Sequence, residues 1–297
     1  MEQVITRLMG GLGNQMFQYA AGYSLAQRLG VPLLLDRTFL DHRGPEVTWT
    51  PRPFELDVFQ LPIAFASADD VGRVRRELDA TIYRRTKRIL PFLFKDRCYV
   101  ERGRTFEPTF FDLVAPVYIE GYWQDERYFL AHATELRETL FVPKAQPSAA
   151  NAALLDAIRS TVSASIHVRR GDYVSLPDAN RYHGVCSTDY YTSNAQWLVE
   201  HRGVQHFFIF SDDPAWVDAN IRLPYPVTQV SHNQGIEGHW DLFLMKHCHH
   251  NIIANSSFSW WGAWLNAHAD KTVIGPAQWF NGSNDVHEIL PTSWLAR

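Results

Sequence analysis

Asn251-Ile-Ile-Ala-Asn-Ser-Ser-Phe-Ser-Trp-Trp-Gly-Ala-Trp-Leu265 carries a short apolar strand into a helix through a cluster of small polar residues. Ser256, Ser257 and Ser259, with Asn255, fall where the unpaired backbone N–H groups of a helix's first turn converge. That positive end favours a phosphate, although an ordinary polar cap would use the same residue types. Two further strand ends decide between these readings. Ser165-Ile-His-Val-Arg-Arg-Gly-Asp-Tyr173 is an apolar strand that ends in two guanidiniums, a glycine and a carboxylate. Arg169 and Arg170 leave alternate faces of an extended chain, so one of them reaches a ligand, and a planar fork of donors suits bidentate phosphate recognition. His206-Phe-Phe-Ile-Phe-Ser-Asp-Asp213 is a continuous apolar run, the mark of a strand covered on both faces, and stops at Ser211, Asp212 and Asp213. A single strand-end Asp is commonly a cap or turn residue. Three strands that all deliver polar groups at their carboxyl ends describe an open parallel α/β sheet and a phosphate-bearing ligand at its edge.

The amino-terminal stretch Val4-Ile-Thr-Arg-Leu-Met-Gly-Gly-Leu-Gly-Asn-Gln-Met-Phe-Gln-Tyr-Ala-Ala21 reads as strand, glycine loop and helix. Gly10, Gly11 and Gly13 permit close backbone approach, and Asn14 and Gln15 would face whatever lies opposite. The loop is no dinucleotide fingerprint, because Met16 stands where the third glycine belongs, and no Lys-Ser/Thr pair makes it a P-loop. A tight βα turn is the plainer reading. A helix over 15–29 closed by Gly30 and a strand over 32–35 complete the start of a βαβ unit. Residues 41–62 are rich in proline, a helix starts at Ser67 with Asp69 and Asp70 in its first turn, and residues 73–97 are strongly basic.

Phe141-Val-Pro-Lys-Ala-Gln-Pro-Ser148 marks a joint, with Ser148 placed to cap a helix over 149–160. The expected domains are therefore 1–145 and 146–297. Beyond the joint, strands at 164–168, 206–210, 226–230, 251–254 and 272–274 alternate with helices near 189–201, after Pro214, over 237–248 and from Ser257. A long loop spans 171–187. This is the pattern of a doubly wound α/β domain.

The 297 residues, 46% hydrophobic and 20% charged, can bury substantial cores, which excludes a disordered chain. A formal net charge of −4 speaks against a nucleic-acid binder. Cys98, Cys186 and Cys248 form no CxxC pair and suit a reducing compartment. His247-Cys-His-His250 lacks the second ligand pair of a zinc site, and no metal is expected. No signal-peptide pattern precedes Val4 and no apolar run approaches a membrane span, so a soluble, cytoplasmic protein is expected. Trp123, Trp240 and Trp279 stand in loop-like contexts where a ring can stack on a sugar, although large aromatics are mostly core.

The segments GGLGNQMFQYA, HVRRGDY, FSDD and NIIANSSFSWWGAW, in this order from residue 4 to about residue 265, resemble the α-1,2-fucosyltransferases of glycosyltransferase family 11. Gly121-Tyr-Trp-Gln-Asp-Glu-Arg-Tyr-Phe129 and Cys186-Ser-Thr-Asp-Tyr-Tyr191 add secondary matches. The resemblance implies a GT-B-like α/β fold of two Rossmann-like domains facing across a cleft, with an acceptor-side domain over 1–145 and a GDP-fucose-binding domain over 146–297. It implies inverting, metal-independent transfer of L-fucose from GDP-fucose to the 2-hydroxyl of a terminal β-galactoside, with no cofactor. Arg169 is the principal catalytic residue, clamping the β-phosphate whose charge grows in the transition state. His167 and Asp212 match positions that contact guanine. Ser256, Ser257 and Ser259, with the N–H of Phe258, hold the diphosphate beside Arg170 and Asn255; Gly13 and Asn14 are further GDP-fucose-binding residues, and Asn14, near the sugar and the acceptor, is also assigned to catalysis. Asp172 is either the base that takes the acceptor proton or a brace for Arg170; His183 is a weaker base, and phosphate oxygen itself is a third option. The basic segment 73–97 reads first as a solvated helix face and second as peripheral contact with an anionic membrane carrying a lipid-linked acceptor. The competing readings are transfer from another nucleotide sugar and a non-enzymatic sugar-binding protein.

Overall fold

The computed structural model describes residues 2–42, 51–79, 97–171, 184–281 and 289–297, and divides into two compact units, Met1–Phe141 and Val142–Arg297. In the first unit β1 (Val4–Arg7) is followed by the helix Leu12–Leu29, β2 (Leu33–Asp36), the helix Ala68–Asp79, β3 (Cys98–Val100) and β4 (Val117–Glu120). The four strands are parallel in the order β2-β1-β4-β3. The helix Leu12–Leu29 starts three residues earlier than its sequence pattern indicates. It is buried on every side from Leu12 through Ala26 except at Asn14. It sits so close to the sheet that a Cβ on Gly22 would come within 2.9 Å of Leu33 and 3.1 Å of Thr6. Gly30 ends it in the left-handed conformation, φ 66°, where glycine carries no steric penalty. Ser67 caps the helix Ala68–Asp79 reciprocally: its hydroxyl accepts from Asp70 N at 3.1 Å, and Asp70 Oδ2 accepts from Ser67 N at 3.0 Å. Most of the basic segment, residues 80–96, lies outside the described residues.

The second unit contains the helix Ala149–Arg159, β5 (Ser163–Val168), the helix Thr188–Arg202, β6 (His206–Ser211), the helix Pro214–Asn220, β7 (Val227–Val230), the helix His239–Met245, β8 (His250–Ile252), the helix Ser257–Trp264, β9 (Val273–Gly275) and β10 (Leu295–Ala296). Ser148 caps the first helix, accepting from Asn151 N at 3.2 Å. All strands are parallel in the order β10-β9-β8-β5-β6-β7. Numbered within the unit this is 3-2-1-4-5-6, the dinucleotide-fold order, with its switch point between β5 and β8. Both units are thus parallel α/β, the two Rossmann-like units of a GT-B-like chain. Apolar burial on both faces, by Ala164, Ile166, Phe207 and Ile209 on one and by Phe208 and Phe210 on the other, explains the uninterrupted hydrophobic runs. The segment 237–248 holds a shorter α-helix than its pattern indicates, because Gly235–Gly238 winds as a 3-10 turn before His239. Among the described residues no helix is long and apolar enough to cross a membrane. Trp123, Trp240 and Trp279 are all buried, so the core reading of these rings holds and none offers a sugar platform.

Candidate active site

At the switch point of the second unit, β5 delivers His167, Arg169 and Arg170 beside the turn that follows β8. The β6 end meets them from the other side. Arg169 Nη1 lies 3.0 Å from Asp212 Oδ2, while the second oxygen of that carboxylate accepts from Arg170 N at 2.9 Å. Arg170 turns away from Arg169: its Nε stands 3.5 Å from Asp213, and its guanidinium lies 3.9 Å from the ring centroid of Trp216. A cation held flat on an indole is a packed brace. Gly171 is required by this arrangement, since a Cβ there would sit 2.4 Å from Asp212 Oδ2. The Asp212 carboxylate, which the family resemblance assigns to guanine, also orients Arg169. Asp172 and His183 lie outside the described residues.

His167 is only 5% exposed, and its Nδ1 has no hydrogen-bond partner among the described residues. Burial, together with the neighbouring Arg169 charge, pushes its pKa down to about 3, so the imidazole is neutral at physiological pH. Its ring stands 5.3 Å from that of Phe258. A buried ring nitrogen without a partner at a strand end marks a group kept for something else to bind.

The serine turn divides into an outer and an inner set. Ser257 and Phe258 open the helix Ser257–Trp264 and remain partly exposed, so the first-turn N–H groups and the Ser257 hydroxyl are presented outward. Ser256 is nearly buried, and its side chain makes no cap hydrogen bond to the helix. Ser259 corrects the sequence reading: it is fully buried, and its hydroxyl donates to Ala254 O at 3.0 Å and Ser256 O at 3.1 Å. It ties the turn together from inside. Asn255 likewise points inward, donating to Trp279 O at 3.2 Å and accepting from Cys186 Sγ at 3.8 Å. Strand-to-helix turns this tight consume some of their own polar groups, and composition does not say which.

In the first unit the glycine loop follows β1. Gly10 takes φ 72°, while Gly13 is already inside the helix that begins at Leu12, rather than in the loop. Gln15 does not face outward as expected. It is fully buried, donating to Gly10 O at 2.9 Å and Pro53 O at 2.8 Å and accepting from Glu55 N at 2.9 Å. Asn14 stays partly exposed and accepts from Gln124 Nε2 at 2.9 Å. Gln124 follows β4, the neighbour of β1, so this pair sits at the carboxyl edge of the first sheet, between these two strands. Within the segment 121–129 the residue types point to Trp123 as a ligand contact, and nothing in them points to Gln124.

Beyond β7, the buried Asn151 and Asn233 and the half-buried Asp241 form a chain of amides and a carboxylate, with Asn233 Nδ2 donating to Asp241 Oδ1 at 2.9 Å. Burial pushes the Asp241 carboxyl up to about 7. A carboxyl whose pKa is raised on folding binds its proton more tightly in the native state, so stability falls as pH climbs from the unfolded value, about 4, towards 7. Asp241→Asn keeps the acceptor for Asn233 and removes the charge. Its melting temperature should exceed that of the parent at pH 8, by a few degrees or on the order of 1–2 kcal/mol, and match it near pH 4.5. An equal difference at both values would show that Asp241 ionises normally.

The glycosyl transferase family 11 profile matches residues 90–291. An alpha-1,2-colitosyltransferase of Escherichia coli is 34% identical, over 99% of this chain and 99% of the relative. An O-antigen biosynthesis glycosyltransferase, WbnK, of the same species is 32% identical over 97% and 98%. A galactoside alpha-(1,2)-fucosyltransferase 2 of Sus scrofa is 26% identical, over 86% of this chain and 68% of the relative.

Proposed function

The chain belongs to glycosyl transferase family 11, and from that membership we propose an inverting, metal-independent transfer of L-fucose from GDP-fucose to the 2-hydroxyl of a terminal galactoside. The observation that carries this reading is the Asp212-oriented guanidinium of Arg169 beside the outward-facing first turn at Ser257, at the switch point of a 3-2-1-4-5-6 sheet. A diphosphate there accepts from the first-turn N–H groups, and Arg169 takes up the negative charge that grows on the leaving β-phosphate. That cation supplies the role a divalent metal plays in other transferases. His167 and Phe258 form the flank on which the guanine is proposed to lie. Ser256 completes the seat. Asp172 is kept in two alternative roles, as the base that takes the acceptor proton or as a brace for Arg170. Gly13 and Asn14, in the other unit, are assigned to the fucosyl group of the donor, with Asn14 also near the acceptor.

Full-length similarity to a colitosyltransferase favours a second donor, nucleotide-linked colitose, which is fucose without its 3-hydroxyl. Similarity to an O-antigen biosynthesis glycosyltransferase supports a glycan acceptor, which we propose to be lipid-linked. The decisive experiment incubates the protein with each nucleotide sugar and a panel of β-galactosides in excess EDTA, with linkage analysis of the product. An α-1,2-linked fucosyl galactoside, formed at an undiminished rate in EDTA, is expected. Product from the colitose donor alone would exchange the donor, and activity lost in EDTA but restored by manganese would overturn the metal-free mechanism.

A further inference from the structure

Two side-chain amides lie side by side at the carboxyl end of the first sheet. Gln124 Nε2 donates to Asn14 Oδ1 at 2.9 Å, and both side chains are half-buried. Asn14 Nδ2 lies over Gly10, where a Cβ would come within 2.5 Å of it, so the Asn14 amide is held in one orientation. Among the described residues neither Asn14 Nδ2 nor Gln124 Oε1 makes another hydrogen bond. The pair thus presents one donor and one acceptor, the complement of a hydroxyl that accepts from the first and donates to the second.

The turn that carries Gln124 is built with unusual rigidity. The Glu101 carboxylate accepts from Tyr122 N at 2.6 Å and Trp123 N at 3.1 Å. Gly121 leaves no room for a side chain, since its Cβ would meet the Glu101 Cβ at 2.5 Å. Trp123 is held at φ 54°, in the left-handed region that a bulky residue avoids, with its ring fully buried. A conformation imposed on such a residue by its surroundings is characteristic of ligand-binding positions. Its effect is to send Trp123 into the core while Tyr122, two residues from Gln124, is 45% exposed. An aromatic ring beside a few convergent polar groups is the make-up of a pyranose site, the ring covering the apolar face and the amides reading the hydroxyls.

We propose that the Tyr122–Gln124 turn is an acceptor-reading element: Gln124 and Asn14 bind a hydroxyl of the acceptor pyranoside, Tyr122 covers its apolar face, and Glu101 is the positioning residue. This deepens the galactoside-transfer reading above and rests on it. The donor seat lies in the other unit, so the element separates acceptor recognition from donor recognition.

The test measures lactose binding calorimetrically to the GDP-loaded full chain, and KM for lactose and for GDP-fucose, in the wild type, Gln124→Leu and Tyr122→Ala. Both variants should weaken lactose binding and raise its KM at least tenfold, with the KM for GDP-fucose and the melting shift given by GDP within twofold of wild type. Tyr122 is surface-placed, so its variant reports even if Gln124→Leu does not fold. An unchanged lactose KM in folded variants, a rise confined to the GDP-fucose KM, or no lactose binding by the wild type would each overturn the proposal. Lactose binding that depends on Gln124, in a protein that never consumes GDP-fucose, would instead uphold the element and remove the donor assignment.

Discussion

Arg169→Lys is expected to lower kcat/KM by several hundredfold while the melting temperature stays within a few degrees of the parent. The structure separates these two effects. Lys keeps the charge but has no planar fork, so it cannot hold Asp212 and a phosphate oxygen in the geometry that Arg169 Nη1 adopts at 3.0 Å from that carboxylate. Loss of a contact that strengthens in the transition state costs about 3–4 kcal/mol. The loop itself should survive, because Asp212 also accepts from Arg170 N and Arg170 remains packed on Trp216. Steady-state kinetics with GDP-fucose decide the matter. Near-normal kcat/KM in a folded Lys variant would remove Arg169 from the mechanism.

Gly171→Ala should be the next most damaging change, although it adds one methyl and touches no charge. The new Cβ would fall 2.4 Å from Asp212 Oδ2, the oxygen that faces Arg169. Displacing it breaks the orientation of the guanidinium, a loss of about 2–3 kcal/mol in transition-state stabilisation, roughly 30- to 150-fold in kcat/KM. GDP affinity should fall with it. A double-mutant cycle isolates the cause: in an Asp212→Ala background the glycine substitution should add little further loss, because the two residues act as one unit. Full additivity would mean that Gly171 acts through the backbone rather than through Asp212.

The serine turn and the second unit differ in how far the sequence foretold them. Most strands and helices of residues 142–297 were legible because the apolar runs of β5 and β6 are buried on both faces and several helices carry a side-chain cap, as at Ser148 and Ser187. In the first unit β3 and β4 were not anticipated. They are as short as β1, β2, β8 and β9, but no glycine loop, helix pattern or polar strand end flanks them to mark them, and β4 is held as a strand by pairing with β1 and β3.

By itself the sequence determined the chemistry at the carboxyl ends of the strands: a glycine loop, two arginines, an acidic pair and a helix opened by serines, in an order that names a family. These are local signals, carried by residue type and spacing within a few positions. Only the tertiary structure decided which groups face a ligand and which are consumed by the fold. Ser259, Asn255 and Gln15 spend their polar atoms on neighbouring backbone and side-chain groups, because a buried donor or acceptor must find a partner inside. Asp212 turns to Arg169 because β5 and β6 run side by side, bringing residues 43 positions apart within 3.0 Å. Gln124 reaches Asn14 across 110 positions because β4 lies next to β1. Nothing along the chain encodes that adjacency locally, since strand order is fixed by how whole helices and strands bury their apolar faces together.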